Sequence, residues 1–218
     1  MEDVRTRRGA DIASDHHLMV AKMKLKLRKH WTIWETALQS ETRWTQVGQQ
    51  RLASGKLLLY SGREEENAPH TQGVALMLSK QAQNALIGWE LHGPGIIKAL
   101  YKAKKEGIST NIIQYYAPTN DYNEDVKDHF YDRLQSIVEK CPTKYLTILI
   151  GDLNAKVGMD NIGYEDIMGR HVLGERNKNG EIFANLCAFN KLVSGCTILP
   201  HKSIHKTIWT SPDHTTQN

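Results

Sequence analysis

The sequence predicts an α+β protein with β-sheets at its centre. Three observations carry that prediction. Short apolar or alternating runs of strand length recur along the chain, Gly- or Pro-bearing connections separate many of them, and only two segments show helical periodicity. The first run, Leu18–Leu27, sets Met19, Ala21, Met23, Leu25 and Leu27 on one face and Lys22, Lys24 and Lys26 on the other, the period-two signature of a half-buried strand. Further strands are expected at Lys56–Tyr60, Gly73–Ser79, Ala85–Leu91, Ile96–Tyr101, Ile108–Tyr116 and Tyr145–Gly151. Asp121–Lys140 places Val126, Phe130, Leu134, Ile137 and Val138 at helical spacing, with acids early and Pro142 just beyond the end. Glu181–Leu192 does the same with Ile182, Leu186 and Phe189. Gly62–Pro69 reads as an exposed hairpin loop, and Trp31–Gln39 has no clear period.

The chain's 218 residues fit one domain, and 40% hydrophobic with 24% charged content can bury a core, which excludes a wholly disordered chain. No apolar run approaches the roughly 18–20 residues of a membrane span, and no leader with a cleavage site opens the chain, so an intracellular protein is expected. Cys141, Cys187 and Cys196 form no CxxC and cannot all pair, which fits buried thiols in a reducing compartment and excludes a disulfide scaffold. His201 and His205 are four apart, but Pro200 argues for a loop and the cysteines lack zinc-finger spacing. The net charge of +4 is concentrated: residues 1–30 hold eight basic and four acidic groups, and the remainder is neutral. Such a strip suits nucleic acid phosphates, or is a solvated strand face.

Five places can carry chemistry. Ile150-Gly-Asp-Leu-Asn-Ala155 runs from a strand into Asp152 and Asn154, where rigid strand ends commonly hold reactive groups. The Asp152 carboxylate can orient a metal-activated water, and the neutral Asn154 amide can hold a phosphate oxygen without repelling it; a polar turn after a core strand is the bland alternative. Ser14-Asp15-His16 offers a base, an acid or a cationic clamp, although Asp-His pairs are common. Glu41, in SETRW (40–44), is a hard-metal ligand or a surface acid. Tyr116, in YAPTN (116–120), donates to a phosphate or caps the core. TIWTSPD (207–213) exposes Trp209 in a polar loop.

Together these motifs resemble the exonuclease–endonuclease–phosphatase family, and most closely the endonuclease domain of RTE-class non-LTR retrotransposons. The likeness extends through LASGKLLLYSG (52–62) and MGRHVLGERNKNGEIFANLCAFNKLV (168–193) and covers nearly the whole chain except Trp31–Gln39. It implies a four-layered α/β sandwich, two packed and mostly antiparallel sheets flanked by helices. It also implies phosphodiester cleavage with a divalent cation, Mg²⁺ or alternatively Mn²⁺, on DNA in the nucleus, in a domain usually fused to a reverse transcriptase and needing no membrane or obligate protein partner. By matched motif, Glu41 and Asp15 are metal-side residues and Asp152 orients or deprotonates the attacking water. Asn154 and Tyr116 hold the phosphate, His16 stabilises the transition state, and Arg43 and Trp209 face substrate.

The motif order departs from the family pattern. The family's SDH motif closes its domain, whereas here it stands at Ser14–His16. The family's opening TWNV-like strand and its QIDHI-like segment have no counterpart. The expected organisation is therefore 1–30 as a displaced closing strand segment, 31–39 as a joint, and 40–218 as the domain body, in an incomplete sandwich. Two functions are carried forward: a metal-dependent DNA endonuclease domain with apurinic-endonuclease-like chemistry, and an inactive remnant that binds nucleic acid. A small-molecule phosphatase is a third reading, which the basic segment disfavours.

Overall fold

The computed structural model describes residues 5–6, 19–20, 36–42, 47–61, 73–102, 108–119, 122–171 and 174–198, the first three as backbone alone. In order these carry β1 (Arg5–Thr6), β2 (Met19–Val20), β3 (Thr36–Thr42), β4 (Gly48–Arg51), β5 (Leu57–Ser61), β6 (Gly73–Leu78), α1 (Lys80–Ala85), β7 (Leu86–Leu91), β8 (Ile96–Tyr101), β9 (Thr110–Tyr116), α2 (Glu124–Glu139), β10 (Leu146–Asp152), α3 (Lys178–Asn190) and α4 (Gly195–Ile198). The fold is mixed α/β and falls into two compact units: residues 1–116 with 141–152, and residues 117–140 with 153–218. No helix among the described residues is long and apolar enough to cross a membrane.

The first unit is built on two four-stranded sheets, ordered β10-β9-β8-β7 and β3-β6-β5-β4, with β1 and β2 paired as a separate ribbon. Among the described residues all pairs are antiparallel except β9 with β10. The sheets meet face to face. Leu59, Leu76 and Leu78 of one pack with Ala99, Tyr101 and Ile112 of the other, and Ala82 and Ala85 of α1 join the same core. Each fully buried large side chain there is worth roughly 1.5–3 kcal/mol. Residues 111–116 of β9 are buried throughout, so both faces of that strand are covered.

The second unit holds α2 and α3. α2 starts where Asn123 caps the Val126 N–H, and buries Phe130, Tyr131, Leu134, Ile137 and Val138. α3 is capped by Asn177 and buries Phe183, Ala184, Leu186 and Cys187. The two are tied by the Lys178–Glu124 ion pair and by Asn190 Nδ2 donating to Gln135 Oε1 at 2.6 Å.

Most expected elements are present, and the differences have physical causes. Ala85 ends α1, a short helix opened by Ser79, whose hydroxyl accepts from the Ala82 N–H, before β7 begins at Leu86. β4 reads GQQR and is an exposed edge with no apolar period to announce it. Thr36–Gln39, part of the stretch without a clear period, is paired strand, with Leu38 opposite Leu76. Val126 and Phe189, expected in the core, are 36% and 73% exposed, because the helices bury neighbouring faces. Tyr145–Ile150 is half-buried rather than a deep core strand, since β10 lies at a sheet edge among the described residues. Of Leu18–Leu27, Met19–Val20 pairs with Arg5–Thr6; the rest of that run, the loop Gly62–Pro69 and His201 and His205 lie outside the described residues. Cys141 and Cys187 are buried thiols, as expected.

Candidate functional site

In the first unit, the parallel pairing of β9 and β10 sets two of the expected site residues side by side. The register runs from Leu146 opposite Thr110 to Asp152 opposite Tyr116, so both residues stand at the C-terminal ends of their strands. Parallel strands end at the same edge of a sheet, and that edge is where α/β folds commonly carry their chemistry. Tyr116 is anchored: it is 6% exposed, packs with Val74, Ile97, Trp89 and Leu91, and its backbone N–H donates to Gly95 O at 2.9 Å. Asp152 is half-buried. Its neighbour Gly151 faces Tyr115 so closely that an added Cβ would lie 1.9 Å from the Tyr115 carbonyl oxygen. A side chain at 151 would force β10 off β9 and carry Asp152 away from Tyr116.

Glu41 lies on β3, where the pairing with β6 slips between Ser40 and Thr42. Such bulges re-aim a side chain and are frequent beside active sites. The backbone of β3 approaches those of β9 and β10. The Glu41 side chain lies outside the described atoms, and Asp15, His16, Arg43 and Trp209 lie outside the described residues. Among the described residues no group of three or more His, Cys, Asp and Glu gathers to hold a metal.

The second unit contains Asn154 in a left-handed conformation, φ +44°. Among residues with a side chain, Asn tolerates that region best. Its carboxamide Nδ2 donates to Ala117 O at 2.7 Å. Asn179, fully buried in the first turn of α3, donates through its Nδ2 to Asn154 O at 3.2 Å and to Pro118 O at 3.1 Å. The residues around it clasp the same loop. Asn177 Oδ1 accepts from the N–H groups of Gly180 and Lys156, and the Asn177 N–H returns a bond to Lys156 O at 3.0 Å. Gly180 approaches so closely that a Cβ would sit 2.0 Å from Lys156 O.

Arg176 completes the clasp. Its Nε donates to Val157 O at 2.9 Å, a second nitrogen donates to Asp160 O, and a third pairs with Glu181 at 3.0 Å. The guanidinium also lies 4.7 Å from the centre of the Tyr164 ring. The hydrogen bonds from Arg176 and from the Tyr164 hydroxyl hold the Glu181 carboxyl below the usual carboxylate range. Burial and the bond to Glu181 raise the Tyr164 hydroxyl.

Sequence reasoning singled out Asp152, Tyr116 and Asn154 and passed over Asn177, Asn179 and Gly180, which clasp the loop that carries Asn154. The signal for the first was present, since Asn177 is an N-cap residue just ahead of an apolar helical run. Starting the helix at Glu181 hid it.

No family model matches the sequence. The chain is similar to craniofacial development protein 2 of Tragulus javanicus, 34% identical over 174 residues, which is 80% of this chain and 29% of that protein. It is equally similar to craniofacial development protein 2 of Bos taurus, again 34% over 174 residues, covering 28% of that protein. The chain thus spans less than a third of the length of the curated relatives it matches, and its homology is to that stretch of craniofacial development protein 2.

Proposed function

We propose that the chain is the body of a metal-dependent phosphodiesterase, a DNA endonuclease domain of retrotransposon origin in the exonuclease–endonuclease–phosphatase family, with apurinic-endonuclease-like chemistry and a four-layered sandwich. The observation that carries this reading is the register of Asp152 beside Tyr116 at the ends of the parallel strands. The likeness to craniofacial development protein 2 supports it.

In this reading Asp152 accepts a proton from, or orients, the water that attacks phosphorus. The Asn154 amide and the Tyr116 hydroxyl donate to phosphoryl oxygens, where charge builds as the bond to the leaving oxygen breaks. His16 shares that task, and Arg43 and Trp209 contact the DNA. Glu41 at the β3 bulge and Asp15 supply hard oxygen donors, the set that suits Mg²⁺ or Mn²⁺ rather than zinc. An ion held there would supply Lewis-acid neutralisation of charge on the phosphate.

The test is nicking of supercoiled plasmid by the full chain in Mg²⁺, with Asp152→Ala as the control. Cleavage by the parent chain that survives in Asp152→Ala at an equal rate overturns the reading. The charge of residues 1–30 favours a second reading, in which the chain binds nucleic acid without cutting it. Salt-dependent DNA binding with no nicking in any divalent ion would select that one.

A further inference from the structure

We infer that Asn179 is a positioning residue for Asn154, holding the left-handed turn from which the Asn154 carboxamide meets the phosphate. The inference rests on the proposed role of Asn154, but its geometry stands apart from any reaction. Both partners of the Asn179 Nδ2 are carbonyl oxygens, of Pro118 and of Asn154 itself. A carbonyl only accepts, so the NH₂ end of the amide must face them and the Oδ1 end must face away. Meanwhile the Asn154 side chain donates to Ala117 O, one residue before Pro118. Residue 154 is thus tied to the segment 117–118 twice, once by its own amide and once through Asn179.

Two further features separate this from ordinary packing. Asn154 holds a positive φ of 44°, a conformation uncommon for a residue with a Cβ, and the two ties to 117–118 hold it there. Asn179 is fully buried, and its Oδ1 has no hydrogen-bond partner among the described residues. A buried acceptor without a donor is a penalty, and the amide carries it because its other end supplies N–H donors to the carbonyl oxygens of Pro118 and Asn154. The position needs two N–H donors at short reach. Asp has none, Leu has none, and Gln is one carbon too long for a site with no exposed surface. Gly180 and Asn177 fix the height of Asn179 above the loop, through the close approach to Lys156 and the two bonds to its backbone.

The test compares Asn179→Asp, Asn179→Ala and Asn179→Ser in the full chain with Leu186→Ala, a core truncation on the same helix. The first readout is the NMR position of the Asn154 side-chain NH₂ pair, assigned by its loss in Asn154→Gly. The second is the steady-state rate of plasmid nicking in Mg²⁺. The Asn179 variants are expected to move the Asn154 resonances and to lower kcat by about tenfold to a hundredfold, with KM changed by less than about threefold. Asn179→Ser keeps one donor and is expected to fall between Asn179→Ala and the parent; it also replaces Asn179→Ala if that variant does not fold. Leu186→Ala should lower the melting temperature and leave the Asn154 resonances in place. Resonances that stay put in all the Asn179 variants, or that move as far in Leu186→Ala, overturn the inference. A parent chain that cuts no DNA removes the endonuclease reading alone, and the resonance comparison still decides whether Asn179 positions Asn154.

Discussion

Asp152 and Tyr116 are Cα partners at the last rung of the parallel β9–β10 pair. Asp152 stands on a strand that is only half-buried, while Tyr116 is packed into the core between the sheets. On the proposed reading, function and stability separate at this rung. Asp152→Ala is expected to reduce nicking by at least about a hundredfold, the scale of losing a general base, while shifting the melting temperature by less than about 2 °C. Kinetics and a thermal melt on one preparation check both halves, and a large stability loss would mean that Asp152 is structural.

Gly151→Ala should cost stability as well as activity. Its Cβ would meet the Tyr115 carbonyl oxygen at 1.9 Å, backbone that cannot swing aside as a side chain can. Overpacking of this kind typically costs about 1–3 kcal/mol, so chemical denaturation should show a clear fall in midpoint. A variant as stable as the parent would show that β10 shifts freely.

At Asn154 the two smallest substitutions should diverge. Glycine accepts φ +44° without penalty, whereas alanine is strained there by roughly 1–2 kcal/mol. Asn154→Gly is expected to be the more stable of the two in urea melts. Both lose the amide, so both should lose nicking alike. Equal stability of the two variants would count against the left-handed turn.

The Glu181 carboxyl sits below its ordinary value because Arg176, then Tyr164, donate to it. Its folded value is depressed, so the stability it contributes is complete above the unfolded value, about 4.3, and is lost as pH falls through the folded one. The side chain is 51% exposed, which screening and water reduce to at most about 1 kcal/mol. Unfolding free energies of the parent chain and Glu181→Gln should differ at pH 7 and converge near pH 3. A gap that widens in acid would reverse the sign and refute the account.

Metal dependence separates the oxygen-donor reading from a zinc site. Nicking should vanish with EDTA and return with Mg²⁺ or Mn²⁺, but not with Zn²⁺, given carboxylates rather than thiolates and imidazoles as donors. Restoration by Zn²⁺ alone would remove Glu41 from the assignment.

The sequence announced the strands that burial makes obvious. Ile96–Tyr101 and Thr110–Tyr116 carry Ile, Leu and Tyr dense enough that no other reading competes. β4 stayed hidden because GQQR buries almost nothing, and β3 because its bulge at Glu41 interrupts the alternation that would reveal a strand. α3 was visible as a helix but was rotated in expectation: Ile182 and Phe189 suggested one face, and Phe183, Ala184 and Cys187 bury the next. Asp152 and Asn154 could be singled out because a strand running into paired polar groups is a local pattern. Asn179 could not, since its meaning comes from a hydrogen bond to a carbonyl twenty-five residues earlier in the chain.

Gly151 and Gly180 also bear on inheritance. A gene released from selection is usually judged alive or dead by whether the acids and histidines it encodes survive. Here two residues with no chemistry of their own would report the same thing. Any substitution at either one drives an atom to 2.0 Å or less from a neighbouring carbonyl oxygen. Almost every first-base or second-base change in those two codons would therefore be as damaging as a change at the proposed base Asp152. A drifting lineage should lose the scaffold through these silent-looking positions about as often as it loses the carboxylate, and a saturation library of the chain would show their columns equally empty.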